Sequence, residues 1–154
     1  MTISNGIPNL FAVEQDILRG GQPSSVGWDY LKSQGIVCVI KLNTEEEGSD
    51  APAEAMGMIV HRFPIPWWRQ MLWRPKQSDL QAAVALMKPH TYVHCEHGQD
   101  RTGLVVGCFR LSQGLTKDDA YAEMLVHEFH PALQGLQGRW NSENGSDWID
   151  LNPA

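Results

Sequence analysis

The chain has 154 residues with a formal net charge of −6. That length fits one domain with a real core, and no apolar run approaches a bilayer span. The acidic balance disfavours nucleic acid and anionic membranes as partners. Three cysteines, at positions 38, 95 and 108, are an odd count. They argue for free thiols in a reducing compartment rather than a disulfide framework. Met1 to Phe11 lacks the basic and apolar regions of a signal peptide. With Met1 as the natural start, a cytoplasmic location is expected. No repeat or linker breaks the chain, so residues 1–154 read as one domain.

Leu18-Arg19 ends a short predicted strand, and Gly20-Gly21-Gln22-Pro23 turns the chain. Ser24 or Ser25 then caps a helix through Trp28 and Leu31 that stops at Gly35. Residues 36–42 are β-branched and almost wholly apolar, which suits a strand covered on both faces. Asn43 to Asp50 is an acidic loop, Pro52 to Met56 a short helix, and Met58 to Phe63 another strand. Pro64 to Pro75 is irregular and rich in Pro and Trp. Ser78 is placed to cap a helix from Asp79 to Met87, ended by Pro89. Residues 91–94 form a strand, 95–100 a loop, and 101–113 a helix stopped by Gly114. Thr116 caps a further helix, with Asp118 and Asp119 set against its dipole. Beyond Gly135 the pattern weakens, and Ser146 is the candidate cap of one more helical turn. The alternation predicts an α/β domain with a central, mostly parallel sheet of four to five strands flanked by helices.

Cys38 and Cys108 sit among apolar residues, as buried small hydrophobes do. Cys95 is different. Residues 94–103 read His-Cys-Glu-His-Gly-Gln-Asp-Arg-Thr-Gly, a strand end, a short loop and a helix start. Such a loop, Glu96, His97, Gly98, Gln99, Asp100 and Arg101, can turn its N–H groups on a tetrahedral oxyanion, with the helix N-terminus adding a positive dipole. Gly98 permits the tight turn. Arg101 offers a planar fork to phosphate oxygens. The same field favours a thiolate at Cys95, an activated nucleophile toward phosphorus. Thr102 is placed to hydrogen-bond the Cys95 sulfur, and His94 to orient the loop. A metal reading draws on His94, Cys95 and His97, with His90 and His61 nearby. It finds no second ligand pair at zinc-finger spacing and leaves Gly98, Arg101 and Thr102 without a task.

His-Cys, five residues, then Arg-Thr resembles the signature of the protein tyrosine phosphatase superfamily. Gly in mid-loop, Asp before Arg and Thr-Gly after it are similar to bacterial dual-specificity-type and phytase-like cysteine phosphatases. The resemblance extends to residues 18–24, 35–43 and 103–124. It implies the cysteine phosphatase fold and a metal-independent, cofactor-free phosphomonoesterase working through a phosphocysteine. The family's proton donor is normally an Asp on a loop before the cysteine, yet residues 63–76 contain no acid. Asp79, the nearest acid before Cys95, is the expected donor, with Asp100 second and Asp50 and Glu96 behind; as a helix-start residue Asp79 also needs no catalytic role. His61, Arg62, Arg69, Arg74 and Lys76 form a basic stretch, and Arg19 and Lys41 occupy family positions near the pocket. A solvated basic loop would look the same. A cation cluster suits an inositol polyphosphate such as inositol hexakisphosphate. The alternatives are a tyrosine or dual-specificity protein phosphatase, and a slow or inactive phosphate-binding module. Trp67, Trp68 and Trp73 either wall the pocket or fill the core. The expected partner is thus a small phosphate ester or a phosphoprotein, with the protein a monomer.

Overall fold

The computed structural model describes residues 2–149 and 151. Two short strands, β1 (Ile3–Ser4) and β2 (Ile7–Pro8), form an N-terminal hairpin. The main sheet is built from β3 (Phe11–Glu14), β4 (Ile17–Gly20), β5 (Cys38–Lys41), β6 (Ile59–Arg62) and β7 (Thr91–His94). Their order across the sheet is β3-β4-β7-β5-β6, with β3 antiparallel to β4 and every other pairing parallel. The predicted α/β class and five-stranded sheet are as expected. The hairpin and β3 have no counterpart in the sequence reading.

The helices are α1 (Ser25–Ser33), α2 (Ala51–Ala55), α3 (Arg69–Leu72), α4 (Gln77–Ala85), α5 (Arg101–Ser112), α6 (Lys117–Val126) and α7 (Gln134–Asn141). Alternation along the buried strands splits the core in two. Val39 and Tyr92 pack with Trp28, Leu31 and Ala53 on one face of the sheet. Ile40 and Val93 pack with Leu80, Leu104, Met124 and Trp140 on the other. α5 runs through that second layer, buried on nearly every side from Arg101 to Leu111. All-round burial explains why its sequence is apolar without a polar face.

Several boundaries move for local reasons. The strand expected over 36–42 is trimmed to β5, because the Ile36 amide closes α1 onto the Leu31 carbonyl. Ser24 caps α1 as expected, accepting from the Gly27 amide, and Thr116 caps α6 through the Asp119 amide. Ser78 caps nothing: α4 starts at Gln77 with Lys76 at the cap, and it has ended before Pro89 is reached. Ser146 lies inside a short 3-10 turn, Gly145–Asp147, rather than ahead of it. The stretch read as irregular contains α3. Cys108 is buried, whereas Cys38 is only partly so. Among the described residues no helix is long and apolar enough to cross a membrane.

Candidate active site

The loop between β7 and α5 leaves the sheet at the carboxyl end of its central strand, where ligands gather in open parallel sheets. Its shape is set from outside. The Cys95 carbonyl lies 3.0 Å from His94 Nδ1. The Gln22 amide donates to the Glu96 carbonyl at 2.9 Å. Asn9 Nδ2 donates to the His97 carbonyl at 2.8 Å, and Arg19 Nη2 to that of Gly98 at 3.1 Å. Four consecutive carbonyls are thereby tied to surrounding protein. Among the described residues, no hydrogen bond uses the amides of residues 96–100. Backbone N–H groups with their carbonyls turned outward form an anion nest. Gly98 is required here: its φ is +77°, and a Cβ would stand 2.4 Å from the Gly20 carbonyl carbon.

Cys95 sits in this nest, 2 % exposed. Thr102 Oγ1 donates to its sulfur at 3.1 Å. Arg101 is 3 % exposed and can be accounted for donor by donor. Nη1 and Nη2 each donate to one Glu47 carboxylate oxygen at 2.8 Å, and the other Nη1 proton goes to the Ile65 carbonyl at 2.7 Å. Nε is buried without a partner. A guanidinium carries five N–H groups, so the two left over are Nε–H and the second Nη2–H. These are parallel and form one edge, the edge that takes two oxygens of a phosphate. The planar fork expected to hold phosphate oxygens is thus divided between two tasks. Its end is held by Glu47, and its side remains for the ligand.

Glu47 was read only as part of an acidic loop. Its Oε1 also accepts from the Thr44 amide at 3.0 Å and the Thr44 hydroxyl at 3.2 Å. Burial alone would raise this carboxyl, but its hydrogen bonds to Arg101, Glu96 and Thr44 outweigh that and bring it down to about 2. Its partner Glu96 moves the other way. The hydrogen bond to Glu47 and partial burial raise the Glu96 carboxyl, against the pull of His97 and Arg101. Interacting carboxyls diverge in this manner. For Arg101, burial favours loss of the charge, but the Glu47 hydrogen bonds and the nearby Cys95 sulfur prevail and raise it. Arg101, Cys95, Glu96, His97, Asp100, Trp67 and Gln70 line an open cleft of about 260 Å³.

The remaining expected site residues are dispersed. Asp79 is not brought to this cleft; it lines a separate pocket with Arg69, Arg74 and Lys76. Its place is fixed by the first turn of α4, which faces that pocket. Asp100 lines the cleft, but its carboxylate accepts from the His130 amide at 2.7 Å and lies 2.9 Å from His130 Nδ1, a tie that pins the loop. Gln99 Nε2 donates outward to Glu128. Asp50 is fully buried, bound by His94 Nε2 at 2.7 Å, Gln22 Nε2 at 2.9 Å and Lys41 Nζ at 3.0 Å. Burial pushes the Asp50 carboxyl up, but His94, Gln22 and Lys41 hold it below its ordinary range.

Lys41 has no reach to a substrate, because its ammonium is consumed by Asp50, Gln22 and the Gly48 carbonyl. Arg19 is 1 % exposed beneath the loop, not at its mouth. Burial brings Arg19 down to about 10, against the opposing pull of Cys95. Arg62 is paired with Glu45 and Glu54. Of the three candidate tryptophans, Trp67 walls the cleft and Trp73 the second pocket. All three are at least 46 % exposed, so none is core.

Residues 8–135 match the family model described as a DSP-PTPase phosphatase fused to NAD+ kinase. The chain belongs to this phosphatase family. OCA1 of Mycosarcoma maydis, named for tyrosine-protein phosphatase activity, is 34% identical over 113 residues, 69% of this chain and 71% of that one. Inositol diphosphatase DSP2 of Oryza sativa subsp. japonica is 27% identical over 111 residues, 68% of this chain and 54% of its own length. The phosphatase thus spans about half of that relative. The core catalytic domain of the PP-IP phosphatase SIW14 from S. cerevisiae superposes with a TM-score of 0.75, at 18% identity, over 97% of this chain and 100% of that one. This phosphatase is a cysteine-dependent phosphoric monoester hydrolase of the protein tyrosine phosphatase type.

Proposed function

We propose that this single domain removes phosphate from an inositol polyphosphate, with Cys95 as nucleophile and Glu96 as proton donor. The observation that carries the reading is the loop itself. Its four outward-tied carbonyls leave an amide nest around Cys95, beside the unpartnered edge of Arg101.

In the first step the Cys95 thiolate forms a bond to phosphorus and the ester P–O bond breaks. The loop amides and the Arg101 edge stabilise charge on the equatorial oxygens. Glu96, whose carboxyl the hydrogen bond to Glu47 shifts toward the protonated form, gives its proton to the leaving oxygen. In the second step water attacks the phosphocysteine and its proton returns to Glu96. The P–S bond breaks while the Thr102 hydroxyl donates to the departing sulfur. Glu96 replaces Asp79 because it lines the cleft with Cys95 and its carboxyl is shifted toward the protonated form.

The inositol assignment is supported by the names of DSP2 and SIW14. The basic stretch no longer contributes to it, since Arg69, Arg74 and Lys76 line a different pocket. A second reading, hydrolysis of phosphotyrosine in proteins, is favoured by Trp67, an aromatic wall on which a phenyl ring would stack. Phosphate release from inositol hexakisphosphate and from a phosphotyrosine peptide, side by side with Cys95→Ser as blank, tests both. Release from the inositol substrate is expected to dominate. Release from the peptide alone would replace the substrate assignment, and release from neither would leave a phosphate-binding module.

A further inference from the structure

A group of three cations without a carboxylate partner among the described residues lies outside the catalytic cleft. A second pocket of about 170 Å³ is lined by Phe63, Leu80 and Trp73 together with Arg69, Arg74 and Lys76. In this chain of net charge −6, Lys41, Arg62, Arg101, Arg110 and Arg139 each meet a carboxylate. These three do not. Arg69 stacks on the rings of Trp68 and Trp73, 5.7 and 5.4 Å from their centroids. Arg74 donates to the Ser142 hydroxyl, and among the described residues no carboxylate lies within 4.0 Å of Arg74 or Lys76. Asp79 is the single acid in the lining. Apolar walls with a few convergent charges are what a small-molecule site presents, and this volume suits a fragment rather than a drug-sized ligand.

The pocket and the catalytic cleft share a wall. Trp67 and Gln70 line the cleft, while Arg69 and Trp73 line the pocket, so α3 and the turn before it serve both. Ile65, which also lines the pocket, gives its carbonyl to Arg101 Nη1 at 2.7 Å. α3 approaches α7 closely at Gly135. A Cβ on Gly135 would stand 2.4 Å from the Trp73 carbonyl oxygen and 2.6 Å from that of Arg69.

We propose that this pocket is a second, regulatory site for a small organic anion with an apolar body, a carboxylate or phosphate monoester. Its charged head lies among Arg69, Arg74 and Lys76, and its body lies against Phe63, Leu80 and Trp73. Occupancy fixes α3 and the Ile65 carbonyl, and thereby the wall of the cleft and the seat of Arg101. The inference about binding is independent of the substrate; its kinetic consequence rests on the phosphatase reading above.

The probe is 2-naphthoate, with neutral 2-naphthylmethanol as control, measured by calorimetry on the full chain with and without saturating vanadate. Naphthoate is expected to bind equally in both conditions, at least tenfold more weakly to Arg74→Ala/Lys76→Ala, and more tightly than the alcohol. Displacement by vanadate would mean that it occupies the catalytic loop, and would overturn the site. So would equal binding by the double variant or by the alcohol. Displacement by inositol hexakisphosphate but not by vanadate would make the pocket a substrate subsite instead of a regulatory one. In the kinetic arm, naphthoate is expected to lower KM for an aryl phosphate at least threefold in wild type and not in the double variant. Binding with KM unmoved would overturn the coupling through α3. Absence of turnover under all conditions would refute the phosphatase reading while the binding result stood.

Discussion

Glu47→Gln separates the two tasks given to one carboxylate. In the wild type both Glu47 oxygens accept from Arg101 at 2.8 Å, with side chains 8 % and 3 % exposed. Glutamine keeps one oxygen but sets an amide N–H against a guanidinium N–H. One charge-assisted bond is lost and a buried cation loses its counter-charge. Removing a partner from a buried pair costs ~3–5 kcal/mol, and the retained bond returns part of that, so the expected loss is about 2–3 kcal/mol. For a chain of this length the melting temperature should fall by roughly 5–10 °C. The sign of the pH effect follows from Glu96. Its carboxyl is raised chiefly by the hydrogen bond to ionised Glu47. Neutral glutamine removes that cause, so the Glu96 carboxyl drops toward its ordinary range and loses its proton at lower pH. The alkaline limb of kcat/KM on an alkyl phosphate should therefore move to lower pH, while an aryl phosphate, with its better leaving group, shows little of that limb. Thermal melts and pH–rate profiles on the two esters read both effects. An unchanged melting temperature would refute the buried-pair argument, and a limb that stays in place would refute Glu96 as the group behind it.

Glu96→Gln should cost the alkyl ester ~100-fold or more and the aryl ester far less, since general-acid assistance is worth ~10²–10⁴; equal losses on both would remove Glu96 from the mechanism. Asp79→Asn should leave both rates within about twofold, and an alkyl-selective loss would restore it as donor. Gly98→Ala should abolish phosphate binding and lower the melting temperature markedly, because a Cβ at φ +77° meets the Gly20–Gly21 backbone; near-normal vanadate affinity would contradict the tight approach. Arg101→Lys should lose most of kcat/KM, because an ammonium cannot offer two parallel donors while also holding Glu47, and near-normal kinetics would refute the side-edge geometry.

Much of the site was legible because its chemistry is local. Cys95, Gly98, Arg101 and Thr102 lie within eight positions on one strand–loop–helix unit, and spacing alone predicts their meeting. The sheet was legible because buried parallel strands leave apolar runs. The rest depends on distant contacts. Nothing in the sequence around Asn9 or Gln22 shows that each donates to a loop more than seventy positions away. Glu47 had a faint signal in its Thr44-x-x-Glu47 spacing, which fixes the local turn but not the partner. The basic stretch misled because residues close in sequence on α3 and its flanks face two different hollows. Asp79 misled because proximity along the chain was taken for proximity in space.

The outward-tied carbonyls also bear on how the protein is made. Their holders, Asn9, Arg19 and Gln22, leave the ribosome long before the cysteine they serve, and His94 immediately before it. Until β4 finds β7, the loop has nothing to bend it, and such long-range pairing is among the slower events in folding. The nascent chain therefore carries Cys95 without the nest around it. The anion cradle appears only as the sheet closes, so phosphate binding, followed in time during refolding, reports completion of the fold itself.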